Sequence, residues 1–181
     1  MWEEGTGEGG GAGNKMTVKT PATKTDLWET PQLLFDKLNE EFHFWLDCCA
    51  LPANAKCTRY ITPEEDALSM PSWGATPCDS YSFWMNPPYG KGIDRWVQRA
   101  YEVSLSGVRV VCLLPARTNA PWWHDYCMRA REIRLVRKKV SFGGPVAGVP
   151  FWGSAIVVFG PGISFDSPRL STYEQPGKEV T

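Results

Sequence analysis

The run YSFWMNPPYG, Tyr81 to Gly90, joins a strand-like apolar segment to an Asn-Pro-Pro-Tyr turn. Two consecutive prolines fix φ and remove two backbone donors, so the chain here neither continues a strand nor opens an ordinary helix turn. It makes a stiff, extended turn at a strand's carboxyl end, where open α/β sheets hold their ligands. Asn86 offers a side-chain carbonyl, Pro87 a main-chain carbonyl held between two rings, and Tyr89 an aromatic face. Two acceptors and a stacking plane suit a planar ring bearing an exocyclic NH2. No strong acid or base stands in the turn. That suits attack by the amine's lone pair on an electrophile that is already activated.

The flanking pattern supplies the rest of the sheet. Thr30-Pro31 reads as an N-cap followed by proline at the first helical position, leading PQLLFDKLNEEF with Leu33, Leu34, Leu38 and Phe42 at helical spacing. FHFWLD reads as a strand ending on Asp47, and TRYIT as a short strand. Gly92 to Gly107 reads as an amphipathic helix stopped by glycine, and VRVVCLLP as a strand covered on both faces. APWWHDYCMRARE reads as a helix, IRLVRKKVSF as a cationic strand, GGPVAGVP as a loop and FWGSAIVVFG as a last strong strand. Alternating strands and helices predict a mostly parallel, doubly wound α/β sheet. Residues 1–24 read as a disordered Gly/Glu-rich arm, 25–162 as the folded domain, and 163–181 as a loosely ordered polar tail.

The 181 residues suffice for one domain with a core, and the net charge of -1 hides an asymmetry. Residues 1–90 carry thirteen acidic against six basic side chains, whereas 91–140 carry four against eleven. A basic half beside an acidic one points to an anionic partner. Six cysteines without a C-x-x-C pair, and no signal peptide, indicate reduced thiols and a cytoplasmic protein. No apolar stretch approaches the ~20 residues of a membrane span. A zinc site from Cys57, Cys78, His43 and His124 lacks the usual ligand spacing, so no metal is expected.

Strand-Asp47-x-x-Ala50 ahead of Asn86-Pro87-Pro88-Tyr89 resembles S-adenosylmethionine-dependent amino-methyltransferases. The ordered set LWETPQLLFDKL, LDCCALPANAKCTRYIT, EEDAL, FWMNPPYG, LLPARTNAPWWHDY and PFWGSAIVVFG resembles the compact phage-type DNA N6-adenine methyltransferase (Dam) family over roughly Asp26 to Gly160. The resemblance implies a Rossmann-like methyltransferase fold, S-adenosyl-L-methionine as cofactor and double-stranded DNA as partner. It implies that Asn86 and the Pro87 carbonyl take hydrogen bonds from the adenine N6 amine, and that Pro88 and Tyr89 complete the pocket with Tyr89 stacked on an extruded base. Asp47 and Ala50 then stand near the cofactor's ribose or methionine part. Asp66 contacts its adenine amine with Leu68 alongside, and Thr30 and Pro31 line the methionine end. The family's usual Gly-rich loop after the first strand is replaced by LDCCALPAN, and the Asp47–Asn86 span is too short for the full strand set.

On this reading the basic half meets phosphates through Arg117, Arg129, Arg131, Arg134, Arg137, Lys138 and Lys139, and Trp122 or Trp123 is available as a wedge in the base stack. Other readings remain open at this level. The amino-methyltransferase chemistry also fits cytosine N4, RNA or a glutamine amide, and a non-catalytic nucleic-acid-binding relic would keep the fold without the cofactor. Asp47 also fits a plain strand-end cap, Asp66 the N-cap of a short helix, and the cationic strand a solvated edge.

Overall fold

The computed structural model describes residues 28–74, 82–161 and 168–176. The Gly/Glu-rich arm expected over residues 1–24 lies outside them, as do Cys78 and Tyr81. The chain runs α1 (Gln32–Phe42), β1 (Phe44–Asp47), β2 (Arg59–Tyr60), β3 (Ser82–Met85), α2 (Ile93–Ser104), β4 (Arg109–Pro115), α3 (Pro121–Asp125), β5 (Glu132–Arg137), β6 (Ser154–Phe159) and β7 (Arg169–Glu174). The strands form one seven-stranded sheet in the order β2-β1-β3-β4-β6-β5-β7.

The sheet is mixed, with parallel pairing predominant. β1 pairs in parallel with β2 and β3, β3 with β4, and β5 with β7, while β6 runs antiparallel between β4 and β5. One consequence sets up the site. The carboxyl ends of β1, β3, β4, β5 and β7 share an edge with the amino end of β6, because Pro115 pairs with Ser154. Every residue of β3 and β6 is buried, as are Val110 to Pro115 of β4. Alternate side chains of a strand point to opposite faces, so the middle of the sheet is covered on both sides. That is why VVCLLP and SAIVVF are continuous apolar runs.

The helices follow from local chemistry. α1 buries Leu34, Phe35, Leu38 and Phe42 on one stripe, and Phe35 packs edge-on against Trp84 of β3 at 5.6 Å between ring centroids. α2 buries Ile93, Val97, Ala100 and Val103, and the chain turns off it through Gly107 at φ 91°.

Several expectations are corrected. Thr30 is not the N-cap of α1. Pro31 takes that place with extended ψ, its carbonyl accepting the first bond from Phe35 N–H at 3.1 Å, while Thr30 is buried. The expected helix at 120–132 is short, because the backbone at Tyr126 (φ -124°) leaves helical geometry and only a 3-10 turn, Cys127–Arg129, follows. Part of the expected loose tail is β7, zipped onto β5 over six residue pairs. Between β1 and β3 the described residues hold only the two-residue β2.

Candidate active site at the carboxyl edge of the sheet

Asn86 stands one residue beyond β3. Its Nδ2 donates to the Trp28 carbonyl at 3.1 Å. Exchanging the amide's nitrogen and oxygen would oppose two acceptors, so this bond fixes which way the amide faces. Its Oδ1 is buried and has no hydrogen-bond partner. A buried acceptor left unpaired costs about 1–3 kcal/mol, so such atoms are rare and call for an explanation. Two more unpaired buried groups lie on the same edge, Trp152 Nε1 and Ser154 Oγ, the latter on the first residue of β6. Three of the four unpaired buried side-chain atoms among the described residues thus stand at this edge; the fourth is Tyr173 Oη of β7.

Around Asn86 lies an aromatic cluster. Tyr89 is buried, and its hydroxyl donates to the Leu113 carbonyl of β4 at 3.0 Å. Trp28 and Phe142 meet its ring at right angles, with centroids 6.3 and 5.8 Å away. Trp28 also stacks on Phe142 at 5.0 Å and leans on Trp152 at 6.0 Å. The loop from β5 to β6 closes over Trp28: a Cβ at Gly148 would lie 3.3 Å from the indole, and Glu29 and Gly143 exchange backbone hydrogen bonds at 3.2 and 3.0 Å. Tyr89 is thus braced from below by β4 and hemmed in by Trp28 and Phe142. Sequence reasoning missed Trp28, Phe142 and Trp152 as site residues. Trp28 alone had a local signal, its place two residues before Thr30-Pro31; the other two reach the site only through the fold.

Asp47 ends β1 and is 3% exposed. Its Oδ1 accepts from Cys49 N–H at 3.3 Å and its Oδ2 from Lys56 N–H at 3.0 Å, which pins the loop after the strand. Burial pushes its pKa up, partly offset by those two amides and the Lys56 charge. Each oxygen keeps room for a further donor. Ala50 is a buried residue of this loop, its N–H donating to the Ile61 carbonyl at 3.1 Å, and Pro31 is half-buried. Asp66 is exposed at φ 52° in a turn and caps no helix; its carbonyl, not its carboxylate, accepts from Ser69. Leu68 is half-buried, and its carbonyl accepts from Arg99 at 3.0 Å.

The thiols close to this edge are not nucleophiles. Burial pushes Cys48, Cys49 and Cys112 well above the ordinary thiol range, with the Asp47 charge adding to the effect at the first two, so each stays protonated at neutral pH. Among the described residues, no group of three His, Cys, Asp or Glu side chains is placed to hold a metal ion, and no helix is long and apolar enough to cross a membrane.

The cations divide. Arg117, two residues past β4, lays its guanidinium over the Trp152 ring at 4.8 Å. Arg137 makes an exposed pair with Glu174 at 3.0 Å, and Lys138 and Lys139 are exposed at the end of β5. Arg134 is a correction. Four of its five N–H donors are taken by Glu41 (2.6 and 2.5 Å) and Glu132 (3.0 and 3.2 Å), so its charge is already matched by carboxylates within the protein. Arg131 donates to the Pro161 carbonyl at 3.1 Å, and Arg129 lies over Tyr101 at 5.9 Å. Trp122 and Trp123 are both buried, so neither stands out as a wedge. Two surface clefts, of about 440 and about 300 Å3, are lined by other residues: α1 with β7, and α2 with the α3 region.

The fold is thus a mixed α/β sheet that carries an unsatisfied amide acceptor and a buried carboxylate on its carboxyl edge. The chain belongs to the Dam family of DNA N-6-adenine-methyltransferases, which it matches over residues 17–151. It is also 35% identical, over 123 residues, to the DNA N-6-adenine-methyltransferase of Haemophilus phage HP1 (strain HP1c1), a match covering 65% of this chain and 67% of that protein.

Proposed function

We propose that this protein transfers a methyl group from S-adenosyl-L-methionine to N6 of an adenine in double-stranded DNA, with the base turned out of the duplex and its amino group held at Asn86. The observation that carries this reading is the buried, unpartnered Oδ1 of Asn86, oriented by the Trp28 carbonyl. Adenine's exocyclic NH2 offers two donors, one for the unpartnered Asn86 Oδ1 and one for the Pro87 carbonyl. Both bonds draw proton density away from nitrogen and aim its lone pair, and positioning of this kind contributes a large share of rate enhancement. The amine is inaccessible inside a paired, stacked duplex, so the base has to leave it.

The edge fits the cofactor. Asp47 is a buried carboxylate with acceptor capacity to spare, suited to hydroxyl or amino groups, and Asp66 has its carboxylate in the open. Thr30, Pro31, Ala50 and Leu68 would line the same site. When bound, S-adenosyl-L-methionine supplies an electrophilic methyl group on a sulfonium centre. Neither a thiolate nor a general base is needed, in keeping with the protonated cysteines and the absence of an acid or base from the turn. Because Oδ1 is closed off from solvent, a base reaches it only when neighbouring side chains move.

Expression in a methylation-free host, followed by single-molecule sequencing, tests the reading. N6-methyladenine recurring in one short motif is expected. Genomic DNA without modified adenine overturns it, and methyl label on cytosine, RNA or protein redirects it.

A further inference from the structure

Phe151 is 84% exposed, more than any other large apolar side chain among the described residues. A phenylalanine so placed forgoes the roughly 1.5–3 kcal/mol that burial would give, and nothing in the fold requires it there. It nonetheless rests against the fold on one side. Its ring meets Trp152 edge to face, at 75° with centroids 4.6 Å apart, buried Pro150 precedes it, and the Gly153 carbonyl accepts from Ala116 N–H at 2.9 Å. Trp152 in turn lies under Arg117 and against Trp28, whose carbonyl holds Asn86. An exposed apolar ring is thus mounted on the same aromatic cluster that positions the acceptor. Arg117, Lys138 and Lys139 lie on that edge of the sheet, where phosphates would meet them.

We propose that Phe151 is the wedge of this enzyme: it enters the stack of bases beside the target adenine and fills the gap left when that base turns out. The proposal rests on the DNA methyltransferase reading above. The chemistry is that of an apolar side chain inserted between base steps, where unstacking costs a few kcal/mol and a filled gap offsets it. A phenyl ring has no hydrogen-bonding group, so it replaces the base without regard to the partner left behind. The cations on the same edge of the sheet favour a polyanionic duplex over a second copy of the chain as its occupant.

The test uses the full-length chain with Phe151→Ala and Phe151→Leu. Methyl transfer is followed on two duplexes carrying the recognised motif, one fully paired and one with an abasic site opposite the target adenine. Phe151→Ala should slow transfer by about ten-fold or more on the paired duplex and stay close to wild type on the pre-opened one, with Phe151→Leu restoring most of the loss. In parallel, a plasmid relaxed by a topoisomerase under saturating protein should change its linking number with wild type and not with Phe151→Ala, since an inserted side chain unwinds DNA. Equal rates for wild type and Phe151→Ala on the paired duplex, equal losses on both duplexes, or no unwinding by wild type would overturn the wedge. So would a wild-type dimer that Phe151→Ala turns into monomer, which would assign the ring to a chain–chain contact. A wild type that unwinds DNA in a Phe151-dependent way yet methylates neither duplex would sink the methyltransferase reading and leave the wedge standing.

Discussion

Asn86 combines two features that oppose each other in a purely structural residue: one end of its amide is bonded and the other is buried without a partner. Replacing it with alanine removes the unmet acceptor together with the donor to the Trp28 carbonyl, one change relieving a cost and the other adding one, so Asn86→Ala should leave stability within about 1 kcal/mol of wild type. The same change should lower methyl transfer by about 100-fold or more, as loss of a single aimed polar group does at other transition states. Cofactor affinity, measured by calorimetry, should move by no more than about three-fold if Asn86 serves the base. A much larger loss would put Asn86 on the cofactor instead. Tyr89 divides into two parts. Its hydroxyl braces the turn on β4, and its ring belongs to the aromatic cluster. Tyr89→Phe should therefore cost about 1 kcal/mol in urea unfolding and leave transfer within a few-fold, whereas Tyr89→Ala should cost about 3–5 kcal/mol and remove activity. A hydroxyl role in the chemistry would show as a Tyr89→Phe enzyme that is fully stable and inactive.

β7 is held by a charged cluster. Glu132 of β5, 8% exposed at its side chain, accepts from Arg134 at 3.0 Å and from Arg169 of β7 at 2.7 Å, while Glu41 at the end of α1 takes the far side of Arg134. Burial alone would raise the Glu132 pKa, but the hydrogen bonds and charges of Arg134 and Arg169 outweigh it and hold it below its ordinary value of 4.5. A lowered folded-state pKa contributes stability that is complete above the unfolded value and disappears as pH falls through the folded one. Glu132→Gln leaves Arg134 partly unpaired and should cost about 3 kcal/mol at pH 7. The deficit against wild type should narrow on acidification below 4.5, as followed by urea midpoints across that range. A gap that stays constant with pH would mean that the charge of Glu132 contributes nothing. The same cluster explains why Arg134 was read from the sequence as a phosphate ligand. Within IRLVRKK its charge resembles those of Arg137, Lys138 and Lys139, and its carboxylate partners come from α1 and from within the strand itself. β7 went unread for a related reason: RLSTYE is polar and exposed along most of its length, and only its pairing with β5 makes it a strand.

Charge is distributed so that Arg117, Arg137, Lys138 and Lys139 stand at strand ends along one edge, the edge that faces DNA on the reading proposed above. Duplex affinity should fall steeply with salt, and Lys138→Ala with Lys139→Ala should reduce the slope of log K against log salt by about two if both meet phosphates. An unchanged slope in the double variant would take those lysines off the interface. The order of elements, the continuous apolar strands and the rigid acceptor turn were legible in the residues, because each depends on neighbours a few positions away: hydrophobic spacing, prolines that forbid alternatives, a glycine that ends a helix. The helix start displaced to Pro31, the shortened α3, the antiparallel β6 between its neighbours and the seventh strand were not, because cross-strand pairing and packing decide them. So it is with the site. Asn86 and Asp47 announced themselves at strand ends, but Trp28, Phe142 and Trp152 are scattered along the chain. Only closure of the sheet, with the β5–β6 loop folded over its edge, brings these rings together on the residue whose carbonyl holds Asn86 and leaves Phe151 facing outward.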